Sequence, residues 1–339
     1  MIYEFFSGSY GKVGEEGIVR FRMDTEKETI EKVYSYDGIL NPSYLAFNPK
    51  KTILYTVQEE VPTGKIHALG LSEGGLTHLR ELSTEGADPC HVSMDGQGRL
   101  MFADNYTSGS LAVFRMGEDE LPEEMCDFIQ HEGCGINPVR QEGPHVHYTK
   151  EHNGQAFVDD LGLDQVFIYD IDFETGKFHD SGKRLSFPAG AGPRHIEFHR
   201  KNPDIIYVIC ELANTVEVFR KQGEEYVSVQ TLSTLPEGYE GETTAAAIKM
   251  QDGLLFASNR GHDSIAVYHV EDDGLLTLTD IVKTGGRTPR DFTLFGDYCV
   301  IANQDSDSIT VLKVDWEKGT MEPTKMAAET VKPSCIRKY

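Results

Sequence analysis

Six segments of this chain open with the same device, and their spacing leaves few folds available. Prolines at 42, 89, 144, 193, 289 and 333 each start a short apolar strand, and the steps between them are 47, 55, 49, 96 and 44, the 96 being two of 48. A second strand and a third follow most of these starts. Pro89-Cys-His-Val-Ser93 leads to 100–105 and 110–114, Pro144-His-Val-His147 to 156–160 and 165–169, and Pro193-Arg-His-Ile-Glu-Phe198 to 205–210 and 215–219. The segment at 243–248, without proline, leads to 254–258 and 264–268, and Pro289-Arg-Asp-Phe-Thr293 leads to 298–302 and 308–312. Self-similarity at this period is the signature of four-stranded propeller blades. Apolar residues spaced for a helix face are scarce throughout.

The two ends complete the count. Residues 333–339 read as one strand of a further blade and then stop, while 2–6, 17–22 and 29–34 read as its other three. A blade shared by both termini closes a ring and removes free sheet edges. The expected fold is all-β: a seven-bladed propeller in a single domain over 1–339. Its blades run approximately 42–88, 89–143, 144–192, 193–242, 243–288 and 289–332, with 333–339 joined to 1–41. Gly, at 33 residues, supplies the many tight turns such a fold needs.

Charge narrows the partners. Lys and Arg number 32 against 55 Asp and Glu, a net −23, which argues against nucleic acid, whose phosphates require a basic surface. It argues equally against an anionic membrane surface. No stretch approaches the roughly 18 apolar residues that cross a bilayer, and an acid at Glu4 with no long apolar run speaks against a signal peptide. The six cysteines form no C-x-x-C pair and fit a reducing compartment, so a soluble cytoplasmic protein is expected.

In an antiparallel blade the start of the first strand and the end of the second lie at the same end of the sheet. Arg194 and His195 therefore neighbour Glu211 and Asn214; His145 and His147 neighbour Asp159 and Asp160; His91 neighbours Asp104; Arg290 neighbours Asn303; and Asn259, Arg260 and His262 fill the matching turn of the fifth blade. One rim thus gathers the His, Arg, Glu and Asn side chains that polar chemistry uses. In so acidic a chain, Arg194, Arg260 and Arg290 on one rim point to an anion. Each residue also has a plainer reading: Arg194–Glu211 as a cross-strand ion pair, His91 as a turn cap, Asp159–Asp160 as a solvated turn, and the Asn residues as partners of turn N–H groups. The Gly- and Pro-rich linker 132–144 reads as a loop at the site mouth, with Arg140 able to reach an anion. His67, His78, His131, His152, His179, His199 and His269 read as surface or turn residues.

These motifs resemble one family. Gly190-Ala-Gly-Pro-Arg-His-Ile-Glu-Phe-His199 with 207–214, Asp88-Pro-Cys-His-Val-Ser93 with 103–110, Arg140-Gln-Glu-Gly-Pro-His-Val-His147, Ala257-Ser-Asn-Arg-Gly-His-Asp-Ser-Ile-Ala-Val267 and Thr288-Pro-Arg-Asp-Phe292 with 302–308 are similar to the 6-phosphogluconolactonase family of seven-bladed propellers. The likeness runs blade by blade along nearly the whole chain. It departs at Thr243-Thr-Ala-Ala, which lacks both Pro and a basic residue, and at Ser43-Tyr44, where other blades carry His. The family also contains carboxy-muconate lactonising enzymes, which close a lactone.

The resemblance implies lactone chemistry on a small anionic substrate, most specifically hydrolysis of 6-phosphoglucono-δ-lactone in the pentose phosphate pathway. By motif, the working His, Arg and Glu of the muconate branch map to His147 (or its neighbour His145), Arg194 and Glu211. Water would attack the lactone carbonyl, Arg194 with His195 would stabilise the developing oxyanion, and His147 or Glu211 would take the proton. His91, Arg140, His145, Asn259, Arg260, Arg290 and Asn303 would bind the substrate. No nucleophile elbow G-x-S-x-G is present, so no acyl-enzyme is expected. No metal or other cofactor is expected, because the acidic residues of this rim are scattered. Two other readings use the same surface: a lactone-forming cycloisomerase, and a propeller that binds a protein partner without catalysis.

Overall fold

The structure, a computed structural model, describes residues 1–339. Its strands form seven four-stranded antiparallel sheets, and only one short 3₁₀ turn, Gln304–Ser306, interrupts the β structure. Each sheet is laid down in chain order, and the seventh takes its first strand, Pro333–Lys338, from the C-terminus and the next three, Ile2–Ser9, Ile18–Asp24 and Thr29–Tyr36, from the N-terminus. No helix is long and apolar enough to cross a membrane. The six cysteines are free thiols. The chain falls into two compact units: one holds residues 1–9, 19–33 and 193–339, the other 10–18 and 34–192.

Burial explains why the middle strands show no polar alternation. A second strand such as Leu254–Arg260 is buried along nearly its whole length, because the fourth and sixth blades pack on its two faces. In the first unit the fourth blade buries Tyr207, Ile209, Val216 and Val218 against Ile248, Leu255 and Ala257 of the fifth. The fifth likewise meets the sixth through Phe256, Val267, Phe292 and Ile301. In the second unit Phe102, Val113, Val158 and Tyr169 join the second and third blades. Fourth strands such as Glu225–Ser233 are largely open to solvent.

Polar clasps fix one blade to the next. Tyr207 donates its hydroxyl to Gly274 O at 2.9 Å, satisfying a buried phenol with a carbonyl of the next blade. Asn259 donates to Thr234 O at 2.7 Å and to Ser264 Oγ at 3.1 Å, and accepts from Thr234 Oγ1 at 2.6 Å. Asn105 repeats the arrangement toward Thr84 O and Ser110 Oγ. This corrects the expectation that Asn259 binds substrate: its amide is spent on the seam between the fourth and fifth blades. Asn303 donates to Thr310 Oγ1 at 2.8 Å, and that hydroxyl donates to Thr284 O, so it too serves a seam.

The structure also buries residues that read as exposed. His131 is held by Asp160 Oδ2 at 2.6 Å and Tyr169 Oη at 3.0 Å, and His67 is buried as well. Asp159 and Asp160 are fully buried rather than part of a solvated turn. Asp160 Oδ1 accepts from the amides of His145 and Leu163, whereas neither oxygen of Asp159 has a hydrogen-bond partner. Burial, reinforced by the nearby Asp104 and Asp160 and opposed by Lys150, pushes the Asp159 carboxyl well above the usual range.

Two outcomes are expected. Asn259→Ala strips a buried seam of its amide and lowers stability by about 1–3 kcal/mol in denaturant titration. For Asp159 the native state holds a proton that the unfolded chain releases above about pH 3.9. Stability therefore falls as pH rises beyond that point, until the raised native value is passed. Asp159→Asn removes this slope, so the melting-temperature gap between variant and parent widens with rising pH; a constant gap would show that Asp159 is ionised when folded.

Candidate functional site

The residues singled out by sequence share one backbone device. Where the first strand of a blade pairs with the second, the register slips after the opening residue: between Pro89 and His91, Val146 and Tyr148, Pro193 and His195, and Pro289 and Asp291. The fifth blade slips between Ala245 and Ile248. Each slip leaves an extra residue on the first strand, and such a bulge re-aims its side chain. The bulged residues are Cys90, His147, Arg194 and Arg290, with Ala246 and Ala247 in the fifth blade. The residue before the proline sets up the bend. Asn41, Asp88, Thr288 and Lys332 have φ of 44°, 52°, 60° and 33°, and Gly192 has 66°. Thr288 adopts this conformation, unfavourable for a β-branched residue, while its amide donates to Asp263 Oδ1 and its hydroxyl to Asp305 Oδ2.

In the first unit the bulge of Arg194 meets the turns after two second strands. Glu211 follows Cys210 and Arg260 follows Asn259, so the two occupy equivalent positions in the fourth and fifth blades. Arg194 Nε lies 2.9 Å and Arg260 Nη2 2.6 Å from the same oxygen, Glu211 Oε2. All three side chains are largely buried. Arg194 Nη1 donates to Ala246 O at 2.7 Å, and Arg260 Nη2 to Ala245 O at 3.0 Å. The alanines that break the sequence repeat thus present main-chain carbonyls to two guanidiniums. Arg194 Nη1 also lies 3.0 Å from His195 Nε2. An arginine donates only, so His195 Nε2 accepts and this imidazole is neutral.

Two arginines pair with one carboxylate here, and the charge of a third, Arg290, acts on Arg260. Burial lowers Arg260 to about 10, Glu211 opposes the shift, and the positive charges of Arg194 and Arg290 add to it. Arg260 remains cationic at neutral pH. Its buried Nε has no hydrogen-bond partner. One glutamate oxygen thus serves two guanidiniums, and the positive charges of Arg194 and Arg290 repel Arg260. An anion bound there would relieve the repulsion and accept from the orphan N–H.

In the second unit the expected residues gather around tyrosines. His91 Nδ1 lies 2.6 Å from Asp104 Oδ2, and the ring sits between Tyr44 and Tyr148, with centroids 4.5 and 4.1 Å away. Thr149 donates to the other oxygen of Asp104 at 2.5 Å. Tyr106 stacks on His145 at 4.3 Å and meets the edge of His147 at 5.8 Å. Its carbonyl accepts from His145 Nδ1 at 2.9 Å, and its hydroxyl accepts from Arg140 Nη2 at 3.3 Å. The linker that carries Arg140 is anchored: Gln141 Nε2 donates to Leu161 O and Asp164 Oδ1. Asp164 also receives the amides of Gly190 and Gly192.

Tyr44, Tyr106 and Tyr148 were not among the expected site residues. Tyr106 follows Asn105 as Glu211 follows Cys210 and Arg260 follows Asn259. Aligning the turns after each second strand therefore finds it, since that position carries the two charged members of the first cluster.

Comparison with known proteins agrees with the blade count and places the chain. The family model described as "Lactonase, 7-bladed beta-propeller" matches residues 4–338. A Bacillus subtilis (strain 168) protein named 6-phosphogluconolactonase is 35% identical over 347 residues, covering 99% of this chain and 98% of its own. Among solved structures, a Pseudomonas aeruginosa periplasmic gluconolactonase aligns with a TM-score of 0.93 at 26% identity, over 100% of this chain and 99% of its own. A Lactobacillus plantarum protein aligns with a TM-score of 0.93 at 28% identity over the whole of both chains. With seven four-stranded blades and a family match along nearly its full length, the chain belongs to the lactonase family of seven-bladed β-propellers and is a lactone hydrolase.

Proposed function

We propose that this lactonase opens 6-phosphoglucono-δ-lactone to 6-phosphogluconate, and that the constellation of Arg194, His195, Glu211, Arg260 and Arg290 performs the reaction. The observation that carries this reading is the buried pairing of Arg194 and Arg260 on one oxygen of Glu211, with an unpartnered Nε–H on Arg260. A phosphate dianion matches the donor geometry of guanidinium groups. The Bacillus subtilis relative named for this substrate supports the same choice.

In this reading Arg260 and Arg290 hold the phosphate, and Arg194 points at the carbonyl oxygen. Attack by water moves negative charge onto that oxygen. A guanidinium held by Glu211 and Ala246 O stabilises the charge with only a short turn away from His195 Nε2. The neutral His195 takes the proton from the attacking water as Arg194 turns from its Nε2 to the substrate. The carbonyl re-forms, the ring C–O bond breaks, and His195 returns the proton to the departing ring oxygen, which becomes a hydroxyl. The new carboxylic acid then ionises. Glu211 is a weak base between two guanidiniums and acts as a positioning residue. The family resemblance assigns the base to His147 instead, and the two assignments give different mutants.

Arg194→Ala is expected to lower kcat by ~10²–10³-fold, the loss typical of one oxyanion donor. Progress is followed above the spontaneous decay of freshly made lactone, with EDTA present throughout. Arg260→Gln is expected to raise KM for the phosphorylated lactone by ~10–100-fold, in line with the loss of charge-assisted hydrogen bonds. It should leave glucono-δ-lactone almost unaffected; equal effects on both lactones would remove the phosphate from the proposal. His195→Asn is expected to abolish the acid limb of the kcat profile. Retention of that limb in His195→Asn and its loss in His147→Asn would return the base role to His147.

A further inference from the structure

The first blade carries a histidine pair that the lactonase chemistry does not use. His67 lies on the third strand, Lys65–Ser72, and His78 and Glu81 lie on the fourth, Gly75–Ser83. His67 pairs with Glu81 across the two strands, and the register slips between Ala68 and Leu69, which brings His78 to the same face. His67 Nδ1 is 3.1 Å from His78 Nε2 and 3.6 Å from Glu81 Oε2, and His78 Nε2 is 3.7 Å from that oxygen. Three donor atoms of the two most versatile ligand types converge on one point.

The surroundings orient this set for a cation. Gln58 Nε2 donates to Glu60 Oε2 at 2.5 Å, which turns Gln58 Oε1 toward His67 Nε2 at 3.1 Å. His67 then carries its proton on Nε2 and directs the Nδ1 lone pair at His78 and Glu81. A carbonyl or carboxylate partner on the far nitrogen is the usual support of a metal-bound histidine. Burial holds His67 down to about 4, so its imidazole is neutral at physiological pH. Lys65 Nζ takes Glu81 Oε1 at 2.7 Å and leaves Oε2 facing the pair. A zinc ion with bonds of about 2.0–2.1 Å and tetrahedral angles separates neighbouring ligand atoms by roughly 3.3–3.4 Å. The three observed gaps bracket that value. His67 is 3% exposed, while His78 and Glu81 are 37% and 45% exposed, so the set opens to solvent on one side.

We propose that His67 Nδ1, His78 Nε2 and Glu81 Oε2 bind one divalent transition-metal ion of the zinc type, with water in the fourth position. Two imidazoles and one carboxylate suit zinc, copper(II) or nickel and disfavour magnesium and calcium, which take oxygen ligands. The ion would tie the outermost strand of the blade to its neighbour at the point where the ladder slips. The inference is independent of the substrate proposed above, because the residues are not shared.

Chelator-stripped full-length protein titrated with zinc chloride in a calorimeter is the test. The expected result is one equivalent bound by the parent, no such uptake by His78→Ala, and at least tenfold weaker uptake by Glu81→Gln. Cobalt(II) added in place of zinc should give a tetrahedral visible spectrum in the parent that His78→Ala lacks. Zinc should raise the melting temperature of the parent and leave that of His78→Ala unchanged. Were His78→Ala to misfold in EDTA, Glu81→Gln, whose side chain is half exposed, carries the same comparison. No stoichiometric uptake by the parent, or equal uptake by parent and variants, overturns the proposal.

Discussion

The slip of register at the start of the first strand is the constraint on which the candidate site depends. Regular pairing sends alternate side chains to opposite faces of a blade, where the neighbouring blades bury them. One extra residue breaks that rule locally and turns a side chain out of the stack toward the turn that follows a second strand. Arg194 reaches Glu211 in this way, and Arg290 stands at the equivalent position two blades on. A left-handed residue and a proline precede the slip in the second, fourth and sixth blades, while the third and fifth slip without that pair, so the bulge recurs with different residues occupying it.

Electrostatics then decide what the device is worth. Burying two guanidiniums on a single carboxylate is costly, since each loses hydration and both share Glu211 Oε2. The alanine carbonyls at 245 and 246 take part of the load as hydrogen-bond acceptors. An unpartnered N–H remains on Arg260, the feature on which the proposed anion site rests. The second unit holds the opposite case. Asp159 is buried among carboxylates and favours the neutral state, while its neighbour Asp104 is hydrogen-bonded to His91 and Thr149.

The blade count and the shared terminal blade were legible because proline, strand length and spacing repeat at a fixed period. The nearness of Arg194 to Glu211 was legible from antiparallel pairing alone, whereas the reach of Arg260 to the same carboxylate was not. Other features were not. A bulge has no letter of its own, so nothing in Pro193-Arg194-His195 separates the turned-out arginine from the histidine that resumes the ladder. The seam role of Asn259 depends on Thr234, a residue of the previous blade, and the burial of His131 depends on Asp160 of the next. Contacts between repeats are invisible to a reading that treats each repeat alone. The alanines of the fifth blade read only as a departure from the repeated motif, whereas their main-chain carbonyls receive two guanidiniums.

Repetition also explains how such a fold acquires chemistry without new architecture. The position after the second strand is Tyr106 in the second blade, Leu161 in the third, Glu211 in the fourth, Arg260 in the fifth and Gln304 in the sixth. The backbone course is the same each time, fixed by the strand pairing and by seam residues such as Asn105 and Asn259 in the preceding position. Side chains at this turn and at the bulge facing it can therefore change from blade to blade while the ladders and seams remain as they are. A charged set such as Glu211 with Arg260 needs compatible residues only in adjoining blades, which is why the polar groups here occur as local clusters rather than as a symmetric set of seven. A handful of turn and bulge positions can therefore vary in charge and shape while the rest of the chain keeps them in place.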